Sequence, residues 1–144
     1  MREAERLAAE AENAGASSVW VTDVRREPYL SSAAALRATT RVTVGTDVAV
    51  AFSRSPAATA QAAWDLAGYG NGRFVLGLGS QVGPTLLSRF GVEADRPAAR
   101  LRDYVLAVRA CWDAYRKGRG RYEGEFYAIR QPVFATGELR AVRS

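Results

Sequence analysis

Short apolar runs alternate with helical segments along this chain, and this alternation constrains its fold more than any other feature. Residues 18–22, 42–50 and 73–78 are rich in β-branched and other apolar residues, as buried strands are. They recur every ~25–30 residues, which is the size of a βαβ unit. Continuously apolar strands are expected where helices cover both faces of a parallel sheet. The pattern therefore predicts a parallel α/β fold, and it does not distinguish an open doubly wound sheet from a barrel.

Helical periodicity places an amphipathic helix before the first strand. Its apolar side is predicted to consist of Ala4, Leu7, Ala8, Ala11 and Ala14. Its solvent side is predicted to consist of Glu3, Glu5, Arg6, Glu10 and Glu12. Gly15 is suited to end this helix, because glycine readily adopts the left-handed conformation that follows many helices.

Capping residues place the remaining helices. After a turn at Pro28, a helix capped by Ser31 or Ser32 is expected to end near residue 40. Ser55-Pro56 is an N-cap followed by proline, which predicts a third helix to about residue 68.

The second half of the chain is predicted to hold one long helix and a hairpin. The helix begins near Pro97 and ends before Gly118, and residues 121–129 are expected to form a small hairpin. Residues 131–144 have no clear periodicity, so we expect them to form a loosely ordered tail. We expect residues 1–144 to form a single domain, with residues 1–130 as its regular part.

The chain contains no histidine and one cysteine, and these counts exclude several kinds of chemistry. Ser–His and Cys–His catalysis, histidine-ligated metals and a histidine acid or base are excluded. No internal disulfide can form, and Cys111 near the apolar stripe of the long helix is expected to be a small buried residue. No apolar run approaches the ~18 residues of a membrane span, and no secretory signal is recognisable, so a cytoplasmic location is expected.

The formal net charge of +5 raises the question of an anionic partner, since basic surfaces attract nucleic acid and acidic ligands. The arginines are scattered along the helical segments, and only residues 116–121 form a cluster. No nucleic-acid-binding signature accompanies that cluster. A solvated surface is therefore favoured, and no nucleic-acid partner is expected.

In parallel α/β folds, ligands bind beyond the carboxyl ends of the strands. Three segments lie at such ends, namely residues 23–26, 46–48 and 79–81. Asp23 and Asp47 end two apolar strands and can accept hydrogen bonds from a ligand, although Asp23 is equally suited to cap a turn. The glycines at 77 and 79 let backbone N–H groups approach a ligand closely, but their spacing matches neither a dinucleotide fingerprint nor a P-loop. These segments are candidates only, because strand–helix packing also selects such glycines.

Taken together, these segments resemble the luciferase-like monooxygenase superfamily, most closely its actinobacterial branch that uses the deazaflavin coenzyme F-420. The resemblance covers about residues 5–129, in order and at family-like spacing. Its most specific part is the Gly-Arg-Phe-x-Leu-Gly-x-Gly-Ser run at residues 72–80. Further matching stretches are residues 18–23, 44–46, 51–56, 60–66, 97–102 and 123–127.

The resemblance implies a TIM-type (β/α)8 barrel that holds a deazaflavin, or alternatively FMN, at its C-terminal mouth. It implies a cis peptide bond between Asp47 and Val48, in a bulge that supports the cofactor ring. It also implies cofactor contacts from Gly79, Ser80 and Gln81 and from Asp23. The resulting candidate cofactor-binding residues are Asp23, Thr46, Asp47, Val48, Gly79, Ser80 and Gln81.

The chain departs from the family pattern in two ways. Many deazaflavin members have a histidine directly after the position of Asp23, where it serves in proton transfer, but this chain has Val24. No catalytic residue is therefore assigned. A TIM barrel needs roughly 250 residues, so we expect a partial barrel with about three parallel strands and outer helices.

The sequence therefore leads to the hypothesis that the protein is an oxidoreductase. It would use a deazaflavin or FMN for hydride transfer or monooxygenation of a small-molecule substrate. This hypothesis includes the case in which the chain is an inactive fragment of such an enzyme. The alternative is a non-catalytic flavin-binding or interaction protein. Such a protein could form a homodimer, because pairing of two copies would cover the free edges of the sheet. A basic nucleic-acid-associated domain is a distant third.

Overall fold

The structure is a computed structural model that describes residues 1–130. Its described part divides into two compact units. The first unit contains residues 1–49 and 62–78, and the second contains residues 50–61 and 79–130. The tail predicted for residues 131–144 lies outside the described residues, and the assignment of the chain to a single domain stays a prediction.

Five helices and seven short strands make up the described chain. The helices are α1 (Arg2–Asn13), α2 (Pro28–Ala38), α3 (Pro56–Tyr69), α4 (Gly83–Phe90) and α5 (Pro97–Lys117). The strands are β1 (Ser18–Val21), β2 (Thr43–Thr46), β3 (Ala49–Val50), β4 (Phe74–Val75), β5 (Leu78–Gly79), β6 (Tyr122–Glu123) and β7 (Ala128–Ile129). A single 3-10 turn covers Ala51–Ser53. None of the helices in this part of the chain is both long and apolar enough to cross a membrane.

The three predicted apolar runs form one parallel sheet in the order β1-β2-β4. Trp20 pairs with Gly45, and Gly45 pairs with Val75. The prediction of three parallel strands is therefore confirmed. Two of the runs are interrupted, because the second divides into β2 and β3 and the third into β4 and β5.

The two faces of this sheet differ in burial. Val44 in the central strand has no exposed surface, and Ala34, Ala35 and Leu36 of α2 are also buried. On the opposite face the Trp20 indole lies over Gly45, where a Cβ would come within 2.3 Å of the ring. The Trp20 side chain is half exposed, so this second face is open to solvent in the described chain.

The predicted solvent side of α1 is wrong at Glu12. The residue is buried, and its carboxylate accepts hydrogen bonds from the backbone N–H groups of Thr40, Arg41 and Val42 at 2.7–3.1 Å. These bonds lower the pKa of Glu12 from 4.5 to about 2. Leu7, predicted to be buried, is half exposed beside the free edge of β1. Helical periodicity could not find the buried carboxylate, because its partners lie 28 to 30 residues away.

Pro28 begins α2 and does not mark a turn before it. Proline suits the first turn of a helix, where its missing N–H would have no partner. The Glu27 carboxylate caps this end by accepting a 2.7 Å hydrogen bond from the Leu30 N–H. The start predicted at Ser31 or Ser32 is therefore too late, since the cap is a glutamate outside the usual set of N-cap residues.

The far end of α2 is held by Arg73, in the loop before β4. Its guanidinium donates to the carbonyls of Leu36, Thr39 and Val42 and to the Thr39 hydroxyl, at 2.9–3.2 Å. Carbonyls at a helix C-terminus lack partners within the helix. The arginine of the family-like Gly-Arg-Phe run is thus a structural residue that ties α2 to the parallel sheet.

In the second unit, α5 provides about half of the buried apolar residues. Tyr104 and Cys111 are fully buried, which confirms the prediction for the cysteine, and burial raises the pKa of its thiol. The Tyr104 hydroxyl hydrogen-bonds with that of Thr59 at 2.6 Å, and the Trp112 indole N–H donates to the Ala60 carbonyl at 2.9 Å. The predicted start and end of this helix are both confirmed.

The predicted hairpin is formed by the antiparallel strands β6 and β7. The buried Asp103 of α5 holds it by accepting hydrogen bonds from the Tyr122 hydroxyl and from the backbone N–H groups of Phe126 and Tyr127. Burial raises the pKa of Asp103, but these hydrogen bonds outweigh that effect and the net pKa is lowered. Burial and the bond to Asp103 raise the pKa of Tyr122 to about 12. This pair is therefore a structural link, since Tyr122 stays protonated near neutral pH.

Candidate cofactor site

In the first unit, the ends of β1 and β2 lie side by side because their parallel register pairs Val21 with Thr46. The Asp47 N–H donates to the Val21 carbonyl at 2.8 Å, which extends the pairing by one residue. Asp23 follows two residues after Val21 and is buried, with 5% of its surface exposed. The structure therefore brings four of the predicted site residues to one edge of the sheet, namely Asp23, Thr46, Asp47 and Val48.

Asp47 and Val48 form an exposed step in an otherwise buried segment. Val44 to Thr46 before them and Ala49 to Phe52 after them are all buried. The Val48 side chain is 39% exposed. The peptide bond that joins Asp47 to Val48 is cis, as the family resemblance implies. An apolar side chain and a carboxylate thus face solvent together at the carboxyl end of the sheet.

Thr46 and Gly77 hold this step in place. The Thr46 hydroxyl donates to the Gly77 carbonyl at 2.7 Å and accepts from the Gly77 N–H at 2.9 Å. The Ala49 N–H also donates to the Gly77 carbonyl, at 2.9 Å. A Cβ on Gly77 would lie 2.0 Å from the Thr46 carbonyl oxygen, so only glycine permits this approach. The sequence left both a ligand-facing role and strand–helix packing open for this glycine, and it gave no sign of the contact with Thr46.

Gly79, Ser80 and Gln81 belong to the second unit, where they join β5 to α4. Gly79 and Ser80 are partly exposed and Gln81 is exposed. Gln81 has a φ of +61°, and its side-chain carbonyl accepts from the Val82 N–H at 3.0 Å. Gly79 and Ser80 thus leave backbone and hydroxyl groups accessible to a ligand. Their predicted clustering with Asp23 and Asp47 stays a prediction.

The position that is a histidine in many deazaflavin enzymes is solvent-exposed here. Val24 is 64% exposed, and the two arginines that follow it are exposed as well. Neither valine nor arginine exchanges protons near neutral pH. At this end of the sheet, the described site residues that carry a carboxylate are Asp23 and Asp47.

The residues at this edge suit one side of a flat, partly polar ring. Val48 offers an apolar contact, and Asp47 offers a carboxylate that can accept hydrogen bonds. Ligand pockets in proteins are mostly apolar with a few placed polar groups, and the step has this composition. The donor set does not suit a metal, since the described chain contains no group of three His, Cys, Asp or Glu side chains that could hold one.

The model of the luciferase-like monooxygenase family matches residues 1–138 of this chain. An uncharacterized protein of Mycobacterium tuberculosis is 40% identical over 126 residues, which cover 85% of this chain and 37% of that protein. A second M. tuberculosis protein, named provisionally as a coenzyme F420-dependent oxidoreductase, is 35% identical over 107 residues, or 74% of this chain and 31% of its own length. The chain therefore spans about a third of the length of these relatives.

Solved structures of longer enzyme chains resemble this chain as well. The monooxygenase RslO1 from Streptomyces bottropensis aligns with a TM-score of 0.76 and 26% identity, over 88% of this chain and 40% of that one. An F420-dependent secondary alcohol dehydrogenase, in complex with an F420–acetone adduct, aligns with a TM-score of 0.75 and 23% identity, over 90% and 42%. These matches confirm the fold class, and the parallel strands with their helices correspond to part of a barrel of this family.

Proposed function

Because the chain belongs to the luciferase-like monooxygenase family, we propose that it is the part of an oxidoreductase that supports the ring of a deazaflavin or FMN. The deazaflavin is the preferred cofactor, since a relative 35% identical to this chain carries the provisional name of a coenzyme F420-dependent oxidoreductase. FMN is the alternative.

The exposed step at Asp47 and Val48 is the observation that carries this proposal. Exposed apolar side chains at the carboxyl edge of a parallel sheet lie where α/β folds bind their ligands. The bonds between Thr46 and Gly77 fix the backbone on one side of the step. A planar ring resting on Val48 would therefore meet a surface that needs no rearrangement, which favours binding.

In this proposal the chain supplies orientation and electrostatics. The bound cofactor supplies the redox chemistry, which is hydride transfer for a deazaflavin. Val48 would support the ring, while Asp23 and Asp47 would accept hydrogen bonds from polar groups of the cofactor or substrate. Gly79, Ser80 and Gln81 would contribute backbone and hydroxyl contacts. We assign no proton-transfer residue, because the chain has Val24 at the position of the family histidine.

The direct test is a fluorescence titration of the purified protein with deazaflavin and with FMN. Val48→Lys places a long charged side chain on the step and should weaken binding at least tenfold, since each ~1.4 kcal/mol lost is a factor of ten. The matched control is Leu30→Lys, which introduces the same charge at an exposed apolar residue of α2 in the same unit. Equal affinities of the two variants would contradict the proposed site.

The alternative function is a non-catalytic flavin-binding or interaction protein. Substrate-dependent bleaching of deazaflavin fluorescence separates the two, because only an enzyme passes hydride between substrate and cofactor. In the part of the chain that the structure describes, the three-stranded sheet has two open edges, which favour association. A homodimer and a cytoplasmic location are therefore part of either proposal, whereas a small-molecule substrate belongs to the enzyme alone. The activity of the whole protein is likewise a proposal, since the chain covers 31% of the provisionally named relative.

A further inference from the structure

A shallow, open depression of about 660 Å3 lies at the end of α5, in the second unit. Of the described residues that line it, all but Gly120 are cationic: Lys117, Arg119, Arg121 and Arg130. Lys117 belongs to the last turn of α5, Arg119 to the loop that follows, and the other two arginines flank the β6–β7 hairpin. This surface is referred to below as the basic surface.

The positive charge of the basic surface is only partly balanced. Glu123 pairs with Arg121 at 2.6 Å and lies 3.8 Å from Arg130, so one carboxylate serves two guanidinium groups. Lys117 and Arg119 form no ion pair with any residue in the 1–130 range. Within the described residues, four cations are thus offset by a single neighbouring anion, Glu123, which favours a positive potential over this surface.

The backbone that carries these cations is fixed by close packing. Gly118 ends α5 with a φ of +70°, and a Cβ on Gly120 would lie 2.7 Å from the Ala114 side chain. The hairpin register pairs Tyr122 with Ile129, which makes Arg121 and Arg130 cross-strand neighbours just beyond the last pair. Like charges that face each other across an antiparallel pair destabilise it. Glu123 offsets part of this repulsion, and a bound anion would offset the remainder.

Helix capping explains only part of this arrangement. Basic side chains near a helix C-terminus interact favourably with its dipole and its free carbonyls. This effect accounts for Arg116 and Lys117, but the hairpin arginines Arg121 and Arg130 are not helical. We propose that the basic surface binds a small anion that carries two or more phosphate groups.

The chemistry of the lining favours this ligand class over nucleic acid. Guanidinium groups match phosphate oxygens through paired hydrogen bonds, and several cations around one concavity suit a multivalent anion. Proteins that bind single-stranded nucleic acid combine such grooves with exposed aromatic rings on which bases stack. Among residues 1–130, the lining contains no aromatic residue, and the nearby Tyr122 hydroxyl is engaged by Asp103.

Isothermal titration calorimetry with pyrophosphate, at low ionic strength, tests the proposal. The wild-type protein should bind pyrophosphate saturably and more tightly than inorganic phosphate. The double variant Lys117→Gln/Arg119→Gln removes the two cations that have no ion pair within residues 1–130, and it should bind pyrophosphate at least tenfold more weakly. The control Arg2→Gln/Arg109→Gln removes the same charge from exposed positions outside the basic surface and should bind like the wild type.

Three results would overturn the proposal. They are a lack of saturable binding, an equal loss of affinity in both double variants, and a single-stranded oligonucleotide that binds more tightly than pyrophosphate per phosphate group. Far-ultraviolet circular dichroism of each variant verifies that the fold is kept, and all four substituted residues are exposed. The test does not depend on the proposed cofactor site, because deazaflavin fluorescence is not its readout.

Discussion

At the scale of single residues, three charged side chains hold backbone segments together by hydrogen bonds that could not be predicted from their positions in the sequence. Glu12 joins α1 to the segment before β2, Arg73 holds the end of α2, and Asp103 holds the hairpin. Each satisfies two or more backbone groups that would otherwise lack partners, and buried groups of this kind cost roughly 1–3 kcal/mol when left unpaired. A structural role is therefore enough to account for Arg73 in the family-like run, without a role in ligand binding.

Glu12 gives a prediction about stability and pH. Its pKa in the folded chain is about 2 against an ordinary 4.5, so the folded state favours the ionised form. The stabilisation is present above about pH 4.5 and is lost as the pH falls toward 2. Glu12→Gln should thus be less stable than the wild type at pH 7, and the difference should shrink across this range.

Urea unfolding at pH 7, 4 and 2.5 measures the difference in the free energy of unfolding. Glu10→Gln is the matched control, since Glu10 is exposed on the same helix and pairs only with Arg6 among the residues the structure describes. If the difference in the free energy of unfolding between Glu12→Gln and the wild type stays constant from pH 7 to pH 2.5, the prediction is contradicted. The negative charge of the carboxylate would then not be the source of the stabilisation.

At the scale of elements, the decisive features are the breaks in two strands. The apolar run at residues 42–50 is interrupted at Asp47 and Val48, and the run at 73–78 is interrupted at Leu76 and Gly77. Both breaks meet at the Thr46–Gly77 hydrogen bonds. The exposed step of the candidate site is the result, because the chain leaves the regular ladder at that point.

Gly77→Ala tests whether this close approach is required. Its Cβ would collide with the Thr46 carbonyl, and overpacking of this kind typically costs 1–3 kcal/mol, so we expect a loss of about that size in the free energy of unfolding. Cofactor affinity should fall as well, since the step would shift. Gly83→Ala is the control, because its Cβ would have no neighbour within 4 Å. It should be neutral or slightly stabilising at the start of α4. Similar stabilities for the two variants would contradict the packing argument.

At the scale of the whole molecule, the described strands provide only part of a cofactor pocket. The parallel sheet has three strands and two free edges in the described chain. Protein pockets commonly bury 70–90% of a ligand's surface. We therefore expect the 144-residue chain by itself to bind deazaflavin saturably but roughly a hundredfold more weakly than a full-length relative, which corresponds to ~2.8 kcal/mol.

Parallel fluorescence titrations of this chain and of the provisionally named M. tuberculosis relative measure that ratio. Sedimentation velocity at several protein concentrations shows whether a dimer forms. Comparison with the titrations shows whether deazaflavin affinity rises with the fraction of dimer. Equally tight, stoichiometric binding by a monomer of this chain would contradict the prediction, because it would mean that these strands supply a complete pocket.

The sequence by itself determined the order of the helices and strands, since periodicity and capping act over a few neighbouring residues. It also determined the parallel pairing, because strands separated by a helix connect in parallel, and it placed the candidate site residues at strand ends. The helix α4 was missed, since only eight residues form it and so short a segment shows little periodicity. The family resemblance implied the bulge at Asp47 and Val48. The tertiary structure alone decided that the third run breaks at Leu76 and Gly77, that Glu12 is buried, and that Asp47 and Val48 are exposed. These features depend on groups about 30 residues away in the chain, and no local pattern encodes such contacts.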